Sequence, residues 1–331
     1  MKVLRLFKPG DLRIQDETVP TPGRGEVLIR VKAVGVCGSD LRWFTQGGIG
    51  DATLDHPLVL GHEFAGVIEN GERVAVDPAI PCGECEHCQR GDTNLCPGVR
   101  FSGHSGQDGA MREYLCWQAD RLHRLPDPLS EEDGVMLEPL GVAIHAVDLA
   151  HLRTGMSVGV FGCGPIGLLI MQLSRLSGAS LVLASDILPH RVDAARAFGA
   201  ETVFHAQPNV PEKAILEATG GRGLDVVFEV AGTQGAVDDA FAAVMPGGKV
   251  ILVGIPEEDR TIFSASTARR KGLTIKLVRR MKNTYPRAIR LVAENRVDVR
   301  SLVTHTFTLD QSAQAFETAV RRGGLKVIIK P

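Results

Sequence analysis

Up to about residue 130, apolar positions fall in short runs broken by turn residues: VLIRVKAVGV (27–36) after the turn PTPGRG, EFAGVIE after Gly61-His62, then ERVAVDP. Short Val- and Ile-rich runs bounded by Gly and Pro predict strands. From Ser130 the spacing turns helical in EEDGVMLEPLGVAIHAVDLAHL, with Ser130 as a candidate N-cap and acidic residues in the first turn. Strand and helix then alternate: VGVFG and PIGLLIMQLSRLSG, LVLASD and HRVDAARAFG, then TVFHA, LDVVFEVAG, KVILVGIP and LTIKLVR. Six strands in that rhythm predict an α/β unit, an open parallel sheet with helices on both faces. The tail carries a helix (PRAIRLVAENR), two strand-like runs (LVTHTFTL and LKVIIK) and a helix between them, and is expected to pack back onto the β-rich part.

At 331 residues the chain exceeds what one hydrophobic core usually holds, so two domains are expected. The boundaries fall at 1–140 with 279–331 for the β-rich domain and 141–278 for the parallel sheet. A formal charge of −2 removes the electrostatic case for nucleic acid or an anionic membrane as partner. The most apolar stretch, Val158 to Met171, is too short to span a bilayer and is interrupted by Gly162, Gly164, Pro165 and Gly167. No export signal is read at the N-terminus, and four of the seven cysteines are clustered too tightly for a disulfide framework; both suit a reducing, cytoplasmic setting.

Those four, Cys82, Cys85, Cys88 and Cys96, are separated by two, two and seven residues, which lets one lobe (81–97) close four thiolates around a tetrahedral zinc. Such a closed sphere is structural. A nucleic-acid-reading zinc ribbon would space its CxxC pairs further apart and carry excess positive charge. A second candidate set is open: Cys37 in GVCGSD and His62 in GHEF, with Asp40 and Glu63 close in sequence to orient an imidazole or serve as exchangeable ligands. Glu138, in LEPLG, is a further carboxylate, though a helix-capping role explains it equally. The turn Gly162-Cys163-Gly164-Pro165-Ile166-Gly167 between a strand and a helix has the spacing that admits a pyrophosphate to a helix N-terminus. Asp186 ends the next strand, nineteen residues past Gly167, where a carboxylate accepts ribose hydroxyls and favours NAD over NADP; Arg191 nearby is the residue that also suits a 2′-phosphate.

Taken together, GVCGSD, GHE, the PCGxCxxCxxGxxNLC lobe, LEPLGVAIHA, GCGPIG and RRMKNTYP make the chain resemble the zinc-containing medium-chain dehydrogenases, in their sorbitol/polyol branch, over essentially its whole length. The resemblance implies a GroES-like catalytic domain joined to a Rossmann coenzyme domain, two zinc ions per chain, NAD, and a homodimer or homotetramer. It implies that Cys37, His62 and Glu63 or Glu138 surround the catalytic zinc. It further implies that Arg280 lies near substrate and coenzyme, that Trp43 lines the substrate pocket, and that Ile166, Val253 and Gly254 contact the coenzyme. Ser39 is then placed to pass the alcohol proton towards the coenzyme ribose; a turn serine bonded to its own backbone is the alternative. The expected reaction is oxidation of a polyol such as sorbitol, L-iditol or xylitol to a ketose, with L-threonine or a simple alcohol as the competing substrate and a non-catalytic nucleotide-binding relative as the competing class.

Three features depart from the family pattern. Arg42 stands where relatives carry a relay histidine, and an arginine stays protonated and cannot shuttle a proton. Met281 replaces a substrate-side tyrosine, and GVIENGERVAVDP is about ten residues short, a trimmed surface loop. Cys116 and Cys163 are read as packing or loop residues, and Arg269-Arg270-Lys271 before Gly272 as a helix C-terminus; His104, in a Gly/Ser-rich loop, either borders the substrate cleft or is a solvated loop histidine.

Overall fold

The fold comes from a computed structural model that describes residues 1–104, 106–206 and 212–331. The chain divides into two compact units, Met1–Gly141 with Lys282–Pro331, and Val142–Met281.

In the first unit the predicted strands join a seven-stranded sheet. Its order is Leu122–Arg124, Arg73–Val76, Glu63–Ile68, Glu26–Gly35, Lys326–Lys330 and Val303–Thr308, and Tyr114–Gln118 pairs separately with Glu26–Gly35. Both tail strands therefore lie in this sheet, as expected: Lys326–Lys330 runs antiparallel to Glu26–Gly35 and parallel to Val303–Thr308. The register sets Gly35 opposite Glu63 on one side and Ile328 on the other. Ile29, Val31, Phe64, Trp117 and Ile329 pack into one buried cluster, which keeps the strand ends that carry the chemistry rigid. The shortened stretch forms a compact hairpin between Glu63–Ile68 and Arg73–Val76, with Gly71 N–H donating to Ile68 O (2.9 Å) and Ile68 N–H to Glu72 O (3.0 Å).

The helix predicted from Ser130 is two helices, Glu131–Val135 and Leu137–Ala150. Ser130 caps the first reciprocally: its Oγ accepts from Asp133 N–H (3.1 Å) while the Asp133 carboxylate accepts from Ser130 N–H (2.9 Å). The break follows from Pro139, which has no N–H to give residue 135 and whose ring would clash with that carbonyl. It is tolerated in the first turn of a new helix, and that turn presents Glu138.

Tyr285, at the start of the helix Tyr285–Ala293, is buried, donates its hydroxyl to Val76 O (2.7 Å) and stacks on His123 at 4.5 Å between ring centroids and 5° between planes. Burial, reinforced by Arg121, holds the His123 imidazole down to about 4. Its folded value therefore lies below the ordinary 6.5, so its contribution to stability is full above pH 6.5 and is lost as the pH falls towards 4. We expect urea midpoints to drop between pH 7 and pH 4.5, and His123→Gln to flatten that slope; an equal slope in both proteins refutes the assignment.

The second unit holds six parallel strands in the order Thr202–His205, Leu181–Asp186, Ser157–Phe161, Leu224–Glu229, Val244–Leu252, Thr274–Leu277. The order reverses direction at Ser157–Phe161, which opens a crevice at the carboxyl ends of that strand and Leu224–Glu229. Phe161, Leu183, Val227, Phe241 and Val250 are in its core. The basic run closes the helix Ala265–Lys271 before a left-handed Gly272, and Lys271 Nζ donates to the carbonyls of Phe241, Ala242 and Val244 (2.7–2.9 Å). No helix among the described residues is long and apolar enough to cross a membrane.

Candidate metal and coenzyme sites

Cys37 ends the segment after Glu26–Gly35 and is the N-cap of the helix Gly38–Gln46. One buried carboxylate ties its turn to the turn that carries His62: Asp40 accepts from Cys37 N–H (2.9 Å) and from Gly61 N–H (3.1 Å), and faces His62 Nδ1 at 3.6 Å. Ser39 Oγ lies 3.4 Å from the other ring nitrogen of His62. Glu63 opens the neighbouring strand. Ligand atoms of Cys37, His62 and Glu63 all lie within 4.8 Å of one another. Gly35 makes this possible, because a Cβ there would collide with Glu63 Oε2.

The electrostatics of the group call for a cation. Burial lowers the His62 pKa, yet Asp40 and Cys37 outweigh it and hold the imidazole well above its usual range. Burial pushes the Glu138 carboxyl up to about 7, with Glu63 adding to the rise and His62 and Lys326 opposing it. Glu138 is itself buried and lies outside the 4.8 Å group, so it stands as a neighbour of Cys37, His62 and Glu63. A cysteine sulfur, an imidazole and a carboxylate converging on one point are a donor set that fits a zinc ion with an open position.

Lys326 also belongs to the site, and the sequence reading does not single it out. Its Nζ donates to both Glu63 oxygens, at 2.8 and 2.6 Å. A lysine leading the apolar triplet Val327-Ile328-Ile329 is the available signal. Of the two readings left open for His104, the structure favours a packed position: its ring meets Trp43 edge-on at 5.4 Å. Trp43 is fully buried, its indole N–H has no acceptor among the described residues, and it lines a cavity of about 260 Å³ with Asp51, Thr53, Asp55, His56 and Leu58.

In the lobe, Cys82, Cys85, Cys88 and Cys96 converge with Sγ–Sγ distances of 3.9 Å (Cys82–Cys88), 3.5 Å (Cys85–Cys88) and 3.5 Å (Cys82–Cys96). Four sulfurs bonded tetrahedrally to zinc stand about 3.8 Å apart, so the set fits a closed zinc site. Backbone N–H donors of Glu84 and Cys85 pull the Cys82 thiol down to about 6, while burial and its neighbours push Cys88 up to about 12.

In the second unit the Gly-rich turn follows the strand Ser157–Phe161 at the switch point. Gly162 has a left-handed φ of +108°, and a Cβ on Gly167 would strike Gly162 O, so both positions require glycine. A Cβ on Gly164, the N-cap of Pro165–Leu176, would meet nothing within 4 Å but the Arg191 guanidinium. That leaves an open cradle before the helix N-terminus, with Gly164, Pro165 and Ile166 partly exposed, and it fits a dinucleotide phosphate. Asp186 is buried, accepting from Cys163 N–H (2.8 Å) and Leu188 N–H (2.9 Å), so it also braces the turn. Val253 and Gly254 follow the next strand but one, their N–H groups bonded to Glu229 O. Arg280 holds a left-handed φ of +52°, an uncommon backbone for a side chain of its size. Cys163 donates to Ser185 O (3.3 Å) and burial pushes its thiol up to about 12, in keeping with a packing role.

The chain matches two family descriptions: "Alcohol dehydrogenase GroES-like domain" over residues 23–127 and "Zinc-binding dehydrogenase" over residues 165–294. It belongs to the zinc-binding alcohol dehydrogenase family, pairing a GroES-like domain with a Rossmann-type sheet, and is an oxidoreductase of that class. Among its relatives, sorbitol dehydrogenase of Bacillus subtilis (strain 168) is 35% identical over 343 residues, spanning 100% of this chain and 97% of that protein. Among solved structures, galactitol-1-phosphate dehydrogenase from Escherichia coli superposes with a TM-score of 0.90 at 28% identity, covering 100% of both chains. A zinc-binding dehydrogenase from Sinorhizobium meliloti 1021 bound to NADP does so with a TM-score of 0.91 at 28% identity, covering 100% of this chain and 99% of that one.

Proposed function

We propose that this chain is a zinc-requiring, NAD-dependent dehydrogenase that oxidises a secondary hydroxyl of a polyol to a ketone. One observation carries the reading: the Cys37 sulfur and the buried His62 imidazole and Glu63 carboxylate lie within 4.8 Å of one another in a chain 35% identical, end to end, to a sorbitol dehydrogenase. Cys37, His62 and Glu63 hold the catalytic zinc with Glu138 beside them, and Cys82, Cys85, Cys88 and Cys96 hold a structural one. Zinc bound there supplies a Lewis acid that lowers the pKa of a substrate hydroxyl towards neutrality. NAD supplies the hydride acceptor.

The chain's own residues do the rest. Asp40 fixes the tautomer and orientation of His62. Ser39 Oγ, beside the His62 ring, accepts the hydroxyl proton while giving up its own towards the coenzyme ribose. Arg42 cannot pass it on, so it leaves through water or through Glu63 or Glu138. Trp43 walls the substrate side, its indole N–H having no acceptor among the described residues. Gly162, Gly164, Pro165, Ile166 and Gly167 cradle the pyrophosphate, Asp186 accepts the ribose hydroxyls, Arg191 flanks the phosphates, and Val253, Gly254 and Arg280 line the nicotinamide end.

The test is a panel of polyols, L-threonine and simple alcohols with NAD and with NADP. NADH should form with at least one of sorbitol, L-iditol and xylitol. Asp186→Ser should lower kcat/KM for NAD roughly tenfold, the worth of one hydrogen bond to a charged group. Turnover of threonine or simple alcohols alone transfers the substrate to the competing class, and a wild-type preference for NADP overturns the role given to Asp186.

A further inference from the structure

Lys326 and Glu63 form a buried ion pair, with side chains 5% and 1% exposed. They stand on strands that are not neighbours, since Glu26–Gly35 runs between them. Gly35 faces Glu63 and Ile328 in register, so Lys326, two residues before Ile328, lies on the same face of the sheet. With no side chain at Gly35, the two charges meet over the middle strand. The third donor of the ammonium points to Val36 O at 3.3 Å, so all three of its N–H bonds have acceptors.

We infer that Lys326 is a positioning residue for the metal: it holds Glu63 as a carboxylate shared between two cations and so keeps that ligand exchangeable. The inference rests on the reading of Cys37, His62 and Glu63 as metal ligands. An ammonium bonded to both carboxylate oxygens competes with a divalent ion for their lone pairs and weakens the ligand as a donor. In a buried site the competition is strong, because charges a few ångströms apart are poorly screened. A carboxylate held in this way yields its place to an incoming hydroxyl more readily than one bound to metal alone.

The experiment uses the full chain loaded with cobalt, whose visible bands separate a mixed thiolate–imidazole–carboxylate site from a four-thiolate site, and follows metal release to a chelator. Lys326→Gln should slow release from the mixed site about tenfold, the low end of the effect of residues standing behind metal ligands, and change the band intensity. Lys326→Arg should keep the wild-type rate and spectrum. In a Glu63→Gln background, adding Lys326→Gln should change nothing; that pair of proteins also decides the matter if the single variant does not fold, because the double variant buries neither charge. Release from Lys326→Gln at the wild-type rate or faster, or an equal slowing in the Glu63→Gln background, overturns the inference alone. A wild-type protein that takes up metal only in the four-thiolate site overturns the proposed function as well.

Discussion

His62→Ala is expected to lower kcat/KM at least a thousand-fold while leaving one zinc ion per chain. The group it belongs to has one imidazole, and its loss leaves Cys37 and Glu63 facing a cavity, with Asp40 deprived of the ring it faces at 3.6 Å. Two donors hold a divalent ion poorly, and Glu63 is already engaged by Lys326. Without a Lewis acid, a polyol hydroxyl keeps a pKa far above neutrality, and the charge it develops during hydride loss is unsupported. Metal catalysis of this kind is worth several kcal/mol, and about 4 kcal/mol corresponds to the stated factor. Initial rates at saturating coenzyme, with zinc counted per chain, check it. Activity within tenfold of wild type, or retention of both zinc ions, would place the chemistry elsewhere.

The second large effect is structural. Cys88→Ser should melt the lobe 81–97 while the sheet of the first unit stays folded. Between residues 81 and 97 only Asn94 and Cys96 are buried, and the helical pieces, Glu86–Gln89 and Thr93–Leu95, are too short to persist alone. The lobe thus has no apolar core, and metal coordination, worth on the order of 10 kcal/mol in small zinc domains, takes its place. An exposed ion pair, Lys282 with Asp92, joins it to the tail, and such a pair contributes at most about 1 kcal/mol. Hydrogen exchange should show unprotected amides in 81–97 and near-native protection in Glu26–Gly35 and Glu63–Ile68. A lobe that stays protected after losing its zinc would refute the argument.

The legible parts of this protein are those set by neighbours in sequence. Four cysteines within fifteen residues announce their own coordination sphere, and a strand, a Gly-rich turn and a helix in succession announce a phosphate cradle. Alternating strands and helices implied a doubly wound sheet, and the six-strand order agrees. Where the local pattern misled, the cause was also local: helical spacing from Ser130 concealed the break that Pro139 imposes. The open metal site was legible only in part. Cys37 and His62 are twenty-five residues apart, so no spacing rule joins them, and resemblance to a family supplied the link.

Periodicity, capping and ligand spacing act over a turn or two of chain, and they determined the kinds of element, the closed zinc lobe and the coenzyme turn. Strand order and register are set by burial across the whole unit, and they alone decided which side chains meet at the open site. Asp40 spans two turns because those turns are stitched together, His104 lies against Trp43, and Lys326 reaches Glu63, 263 residues away, because a glycine leaves the strand between them bare. No short-range rule contains that last contact, since it needs three strands from distant parts of the chain in a single register.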